Sequence, residues 1–140
     1  MSSNFFEPIS VQQAMLMNSL SLAYIGDAVH SLFVRERLVV NHDTKAGELH
    51  KMASATVNAH EQAVLADKLW EQFTQEEQTV FLRGRNGKAH HKAKNQSGAD
   101  YRKATGLEAV LGFLYITGQH QRIVELLEEG HGVHGVHFVQ

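Results

Sequence analysis

Apolar residues recur at intervals of three and four along most of this 140-residue chain, and this spacing constrains the fold more than any other feature. Such spacing is typical of helices that bury one face. The chain contains a single proline, Pro8, and many residues of high helix propensity. No pattern indicates a strand, an internal repeat or a linker. We therefore predict one all-α domain spanning residues 1–140.

The spacing and the capping residues predict the helix boundaries. Helices are expected over 11–18, 19–40, 45–73 with a break near 54–56, 74 to the RGRNG segment, 99–117 and 120–129. A loop is expected at 84–98, where turn formers replace apolar residues, and an irregular Gly-rich tail at 130–140. In the second helix, one stripe is predicted to face the core: Leu22, Ile25, Val29, Leu32, Phe33 and Glu36.

Composition narrows the classes of protein that are possible. The chain has no cysteine, which excludes disulfides and thiolate metal sites and fits a reducing compartment. The N-terminal residues lack signal-peptide features, and no apolar run is long enough to span a bilayer. We therefore expect a soluble, cytoplasmic protein with no membrane partner. Three histidines lie in the C-terminal tail, namely His131, His134 and His137. Because the glycines between them do not hold the side chains in a defined metal-binding geometry, we expect only adventitious metal binding there.

Positive charge is concentrated in one segment of an otherwise acidic chain. The whole sequence has 13 basic and 15 acidic residues, for a net charge of −2. Residues 83–103 contain seven of the basic residues and one acid, which gives +6 and leaves −8 for the remainder. Such a block indicates either a solvated charged loop or a contact with a polyanion.

Two acidic side chains stand alone on apolar helices. Asp27, in the stretch LAYIGDAV, has no Lys or Arg at three or four residues on either side, and Glu108, in TGLEAVLGFLY, repeats this pattern. An isolated carboxylate on a partly buried face is costly unless something compensates it. The alternatives are a cation from elsewhere in the fold, a bound divalent metal ion or a raised pKa. Two ordinary helix acids that find partners in the fold would give the same pattern.

Four segments, in this order, resemble the signature segments of ribonuclease III domains: LAYIGDAV, LHKMASATVNAHEQA, LRGRN and YRKATGLEAVLGFLY. The resemblance covers nearly the whole chain. It is strongest to the Mini-ribonuclease III branch, whose members consist of the catalytic domain without a double-stranded-RNA-binding domain. The larger ribonuclease III enzymes have two further acids, at positions where this chain has Ala23 and Thr105. Only two of their four carboxylates therefore remain.

The resemblance implies an all-helical homodimer that cleaves double-stranded RNA and leaves 5′-phosphate ends. It implies that Asp27 and Glu108 are the catalytic residues and hold Mg²⁺, with Mn²⁺ as an alternative ion. It further implies maturation of precursor 23S ribosomal RNA, and leaves open whether a ribosomal protein presents that substrate. The semi-apolar face that bears Ala23, Val34 and Leu38 would then lie near the dimer interface.

Beside this resemblance, the basic segment is expected to contact RNA. Phosphates and 2′-hydroxyls are the groups that an A-form duplex presents to basic and amide side chains. The expected RNA-binding residues are Arg83, Arg85, Asn86, Lys88, Lys92 and Lys94. A non-catalytic helical module for RNA binding or ribosome assembly is the alternative function, although such a module has no use for two unpaired acids.

Overall fold

The computed structural model describes residues 6–87 and 98–137, and within these ranges the chain is helical and has no strand. The helices are α1 (Val11–Met15), α2 (Ser19–Asn41), α3 (Ala46–Thr56), α4 (Ala59–Leu69), α5 (Gln75–Asn86), α6 (Gly98–Ile116) and α7 (His120–His131), with a 3₁₀ turn (Trp70–Gln72) after α4. The expectation of an all-α fold is confirmed. None of the described helices combines the length and apolar character needed to cross a bilayer.

Local side-chain bonds explain where several helices begin. At the start of α5, the Thr74 hydroxyl accepts from the Glu77 amide while the Glu77 carboxylate accepts from the Thr74 amide, which is the expected capping box. Helix α2 is capped by Asn18, whose side-chain oxygen accepts from the Leu20 amide at 2.7 Å. The side chain one position before the helix is the one that reaches the unpaired amides of the first turn.

Helix α6 lies at the centre of the fold. Every residue from Ala104 to Leu114 is buried except Glu108, which is half-buried. The helix packs against α2, α5 and α4 and also contacts α7 and α1. A helix that is apolar on all sides belongs in the interior, because each of its faces removes apolar surface from water. Glu108 is therefore the one half-buried residue in an otherwise buried stretch of α6.

Two glycines allow α2 and α6 to cross with their backbones in contact. A Cβ atom on Gly26 would overlap the carbonyl oxygen of Glu108, and a Cβ atom on Gly112 would overlap the carbonyl oxygen of Leu22. Neither obstacle is a side chain that can rotate away, so only glycine fits at either position. The crossing places residue 27 of α2 directly beside residue 108 of α6.

The core-facing side of α2 differs from the expected stripe. Leu22 and Phe33 are buried as predicted, but Ile25 and Val29 are only half-buried, and Leu32 is 69% exposed. Glu36 is also exposed, and the buried side instead includes residues expected near a dimer interface: Ala23, Val34 and Leu38. The reason is the glycine crossing, which turns the Gly26 side of α2 towards α6. Helical spacing shows which residues share a face of α2, but it does not show which face packs against another helix.

The loop and tail boundaries also differ from those expected. Helix α5 continues through Asn86, and α6 begins at Gly98, so both ends of the 84–98 segment are helical. At the C-terminus, α7 continues through His131 and ends at Gly132, whose φ of 68° is the left-handed conformation that closes a helix. Residues 88–97, which include Lys88, Lys92 and Lys94, lie outside the described residues.

Replacing Gly112 tests the crossing. We expect Gly112→Ala to lower the free energy of unfolding by roughly 2–4 kcal/mol, because the helices must separate to admit the methyl group. Gly47→Ala is the control, since no atom lies within 4 Å of the position its Cβ would take. That variant should be as stable as the wild type or more stable by up to about 1 kcal/mol. Urea denaturation measures both, and equal stabilities for the two variants would contradict the close crossing.

Candidate active site

The crossing of α2 and α6 brings the two isolated acids together. The side chains of Asp27 and Glu108 lie close enough for the hydrogen bonding and the charge of Asp27 to raise the pKa of Glu108. Two ionised carboxylates at this proximity repel each other, which favours a proton on one of them. Asp27 is exposed to solvent, whereas Glu108 is half-buried. The site is therefore asymmetric, with one oxygen donor open to water and the other set into the core.

Burial decides which of the two acids keeps the proton. Loss of hydration raises the pKa of Glu108 to about 8, and the hydrogen bond and negative charge of Asp27 add to this increase. A hydrogen bond donated by Gln62 acts in the opposite direction, because it stabilises the ionised form. Glu108 of the metal-free protein is accordingly protonated at neutral pH. The sequence left open a cation from elsewhere in the fold, a bound metal ion or a raised pKa. For Glu108 without a bound ion, the raised pKa applies.

The site contains only two carboxylates among the residues that the structure describes. No group of three His, Cys, Asp or Glu side chains suited to hold a metal ion occurs in residues 6–87 and 98–137. Ala23 is buried in the core, and the hydroxyl of Thr105 donates to the carbonyl of Tyr101 at 2.9 Å. The two positions at which larger ribonuclease III enzymes carry acids therefore supply no ligand here.

The donor set nonetheless fits a divalent cation. Carboxylate oxygens are the ligands that Mg²⁺ and Mn²⁺ prefer, and Mg²⁺ commonly uses one or two of them while retaining several waters. Ionisation of Glu108 beside Asp27 is unfavourable, as its raised pKa reflects, because it would place two negative charges next to each other. A cation at the same place compensates both charges, so it can replace the proton. The exposure of Asp27 leaves room for water and for a substrate phosphate.

A buried glutamine was not anticipated from the sequence. The side-chain nitrogen of Gln62, on α4, donates to Oε2 of Glu108 at 3.2 Å and lies 3.2 Å from Nδ1 of His30. Nε2 of His30 lies in turn 2.9 Å from Nε2 of His131. Gln62 is only 4% exposed and falls on the apolar stripe of α4 that includes Ala66 and Leu69. A polar residue within an apolar stripe was the available signal.

The expected RNA-binding residues within the described ranges lie on the last turn of α5. Arg83 is exposed and donates to the carbonyl of Met15 at 2.8 Å, which ties α5 to the end of α1. Nε of Arg85 donates to the side-chain oxygen of Asn86 at 3.1 Å. None of these three side chains is joined to Asp27 or Glu108 by a described hydrogen bond or ion pair. Arg83 faces the end of α1, whereas Arg85 lines a recess with Trp70 and Lys103, so the two arginines lie on different sides of α5.

The raised pKa of Glu108 predicts how stability depends on pH. As the pH rises from about 4.5 to about 8, the unfolded chain ionises Glu108 while the folded chain keeps it protonated, so the metal-free protein should lose stability. Glu108→Gln removes this difference and should flatten the profile. Urea denaturation in EDTA, from about pH 5 to about pH 8.5, measures the slopes. Glu129→Gln, an exposed acid on α7, should retain the wild-type slope. Equal slopes for wild type and Glu108→Gln would contradict the assignment.

Sequence comparison relates this chain to bacterial enzymes of one kind. Mini-ribonuclease 3 of Staphylococcus aureus is 44% identical over 116 residues, which cover 81% of this chain and 87% of the relative. Mini-ribonuclease 3 of Enterococcus faecalis is 42% identical over 113 residues, covering 79% and 86%. Mini-ribonuclease 3 of Clostridium tetani is 41% identical over 123 residues, covering 87% and 82%.

Structural comparison and a family model agree with these relatives. A crystal structure of a protein from Fusobacterium nucleatum superposes with a TM-score of 0.75 at 25% identity, covering 81% of this chain and 90% of that chain. The family model for the ribonuclease III domain matches residues 20–119, which include both acids of the site. This chain therefore belongs to the ribonuclease III family.

Proposed function

We propose that the protein is a magnesium-dependent endoribonuclease that cleaves double-stranded RNA and matures the ends of precursor 23S ribosomal RNA. The observation that carries the proposal is the contact between Asp27 and Glu108 in a chain of the ribonuclease III family. The endoribonuclease activity follows the family and the Mini-ribonuclease 3 relatives. The ribosomal precursor, the cytoplasmic location and a presenting ribosomal protein rest on the resemblance of the sequence to that branch.

Asp27 and Glu108 are the proposed catalytic residues and the ligands of the ion. When bound, Mg²⁺, or Mn²⁺ in its place, supplies a Lewis acid that polarises the phosphoryl group, orients a water and stabilises the leaving 3′-oxygen. Glu108 would release its proton to solvent water, so that both side chains could hold the ion as carboxylates. Asp27, being exposed, faces the side from which RNA arrives. With two protein ligands, much of the coordination sphere is left to water and RNA phosphate.

The proposed RNA surface begins at the end of α5. Arg83, Arg85 and Asn86 occupy its last turn, and the chain continues into the segment containing Lys88, Lys92 and Lys94, which lies outside the described residues. In an acidic chain this is the place where phosphates are attracted. Neutralising phosphates with basic side chains makes duplex binding weaken steeply as salt rises.

An exposed apolar face of α2 supports the proposed homodimer. Tyr24, Leu32 and Val39 are 81%, 69% and 61% exposed, and they share one face of the helix. Clustered large apolar side chains on a surface are typical of protein–protein contacts. At about 100° per residue, Asp27 projects about 60° from Tyr24 and more than about 100° from Leu32 and Val39, so it lies beside this face and not within it. A two-fold axis at this face would relate two acid pairs, one for each strand of a duplex. This face replaces the Ala23, Val34 and Leu38 face expected from sequence.

The catalytic assignment is tested by cleavage of labelled duplex RNA. Asp27→Asn should lower the rate by roughly a thousandfold or more, because a site that loses a carboxylate no longer holds the ion that stabilises the transition state. Glu108→Gln should do the same, and EDTA should abolish cutting by the wild type. Duplex binding should persist in both variants.

Asp43→Asn, an exposed acid outside the site, is the matched control and should cut at the wild-type rate. Single-stranded RNA and duplex DNA should not be cut. Duplex RNA that is bound by the wild type but not cut in Mg²⁺ would overturn the nuclease proposal and favour the non-catalytic RNA-binding or ribosome-assembly module.

Arg85→Gln tests the RNA surface. Measured by titration in Glu108→Gln protein, which is not expected to cut, its affinity for duplex RNA should fall, and the slope of log affinity against log salt should decrease by about one. Arg85 is preferred to Arg83, since loss of Arg83 also breaks the bond to Met15. Lys51→Gln, on exposed α3, is the control and should leave the slope unchanged. An unchanged slope for Arg85→Gln would remove that residue from the surface.

A further inference from the structure

A chain of hydrogen bonds runs from the acid pair through the interior to the end of α7. Its members after Glu108 are Gln62 on α4, His30 on α2 and His131 on α7, joined at 3.2, 3.2 and 2.9 Å. His30 is completely buried, Gln62 nearly so, and His131 is half-buried. Polar groups in an apolar interior are costly unless all of them are bonded. No described buried side-chain nitrogen or oxygen lacks a partner.

The number of hydrogens on each polar group determines which atom donates and which accepts in this series of hydrogen bonds. The side-chain nitrogen of Gln62 carries two hydrogens, and both of its neighbours, Oε2 of Glu108 and Nδ1 of His30, must then accept. A neutral imidazole that accepts at Nδ1 carries its hydrogen on Nε2, so His30 donates to Nε2 of His131. His131 in turn carries its hydrogen on Nδ1. Each histidine therefore has one defined tautomer.

Both histidines are held in the neutral form that this direction requires. Burial and the neighbouring His131 lower the pKa of His30 to about 3, and burial with the positive charges of Lys68 and Arg37 lowers the pKa of His131 to about 4. A charged imidazole would donate from both nitrogens and could not accept from Gln62.

Ring stacking fixes the position of His131, the last residue of the hydrogen-bonded series. The ring of His131 stacks on Phe33, with centroids 5.9 Å apart and planes at 18°, and the guanidinium of Arg37 covers Phe33 at 3.5 Å. Nε of Arg37 donates to the carbonyl of Gly135 at 3.1 Å, which holds the segment after α7 against α2. His131 therefore has a fixed position from which to accept the bond of His30.

We propose that Gln62 is the positioning residue of Glu108, and that the His30–His131 pair fixes the orientation of its carboxamide. This inference rests on the proposed function in treating Glu108 as a metal ligand. By donating to Oε2 at 3.2 Å, Gln62 holds one oxygen of the carboxylate in a fixed direction. Groups that hydrogen-bond a ligating carboxylate set its direction and contribute to metal affinity.

The first test is the tautomeric state of the histidines in the full-length, metal-free protein. Imidazole nitrogen NMR spectra, assigned by replacing histidines one at a time, should show His30 protonated at Nε2 and His131 at Nδ1. If Gln62 were turned by 180°, its oxygen would face His30, which would then carry its hydrogen on Nδ1. Observation of that tautomer would overturn the inference, and it requires no variant of Gln62 to fold.

The second test is the affinity for Mn²⁺ alone, read from the loss of the free-ion electron paramagnetic resonance signal. Gln62→Met, which removes both donors at similar length, should weaken binding about 10- to 100-fold. Leu69→Met places the same side chain in a buried position of the same helix and should bind as the wild type does. Equal affinities for Gln62→Met and wild type would overturn the inference.

The two proposals fail separately. Wild-type protein that binds Mn²⁺ at Asp27 and Glu108 but cuts no duplex RNA would contradict the proposed function, while the tautomers and the Gln62→Met affinity would still support the positioning role. Cutting that depends on Asp27 and Glu108, with Mn²⁺ affinity unchanged in Gln62→Met, would support the proposed function and overturn the positioning role.

Discussion

The contact between the backbones of α2 and α6 is the constraint on which the rest of the structure depends. Gly26 and Gly112 let the helices approach until the carbonyl oxygens of one fill the space of a missing side chain on the other. Because the approach is so close, residues 27 and 108 become neighbours although 80 positions separate them in the chain. The same contact turns α2 about its axis and thereby selects which of its apolar residues enter the core. Site and core therefore have a common origin.

The sequence predicts the helices well because their determinants are local. Apolar spacing gives their number, and the Thr74 capping box gives one boundary to the residue. The buried side of α2 is not predictable in this way, since it depends on a close approach between segments distant in sequence. Gly106 and Gly112 lie close to Glu108 in the sequence, but nothing in their spacing identifies Gly26 as the residue on the other helix. The glycines at 130 and 132 predict that α7 ends before His131. In the structure Gly130 is helical, and the helix ends only at Gly132.

In the candidate site, too, some residues can be recognised from local sequence, whereas others depend on contacts between helices. Asp27 and Glu108 could be recognised because an acid without a local partner is unusual on an apolar helix, and the resemblance to ribonuclease III domains identified both. Gln62 could not be assigned a role, because its two bonds join α4 to α6 and to α2. Sequence spacing describes neighbours along one helix, and a series of hydrogen bonds that joins four helices leaves no regular pattern in it.

The proton on Glu108 also affects the charge that a polyanion meets. With Glu108 protonated, the metal-free pair does not present two negative charges. Under the proposed function, exchange of that proton for a divalent cation would leave two carboxylates and two positive charges, and the pair would be neutral. In neither state does the pair present a double negative charge to a phosphate backbone. A proton on Glu108 and a bound cation would therefore each prevent a double negative charge at the acid pair. In either state, the electrostatic repulsion of an approaching RNA stays low.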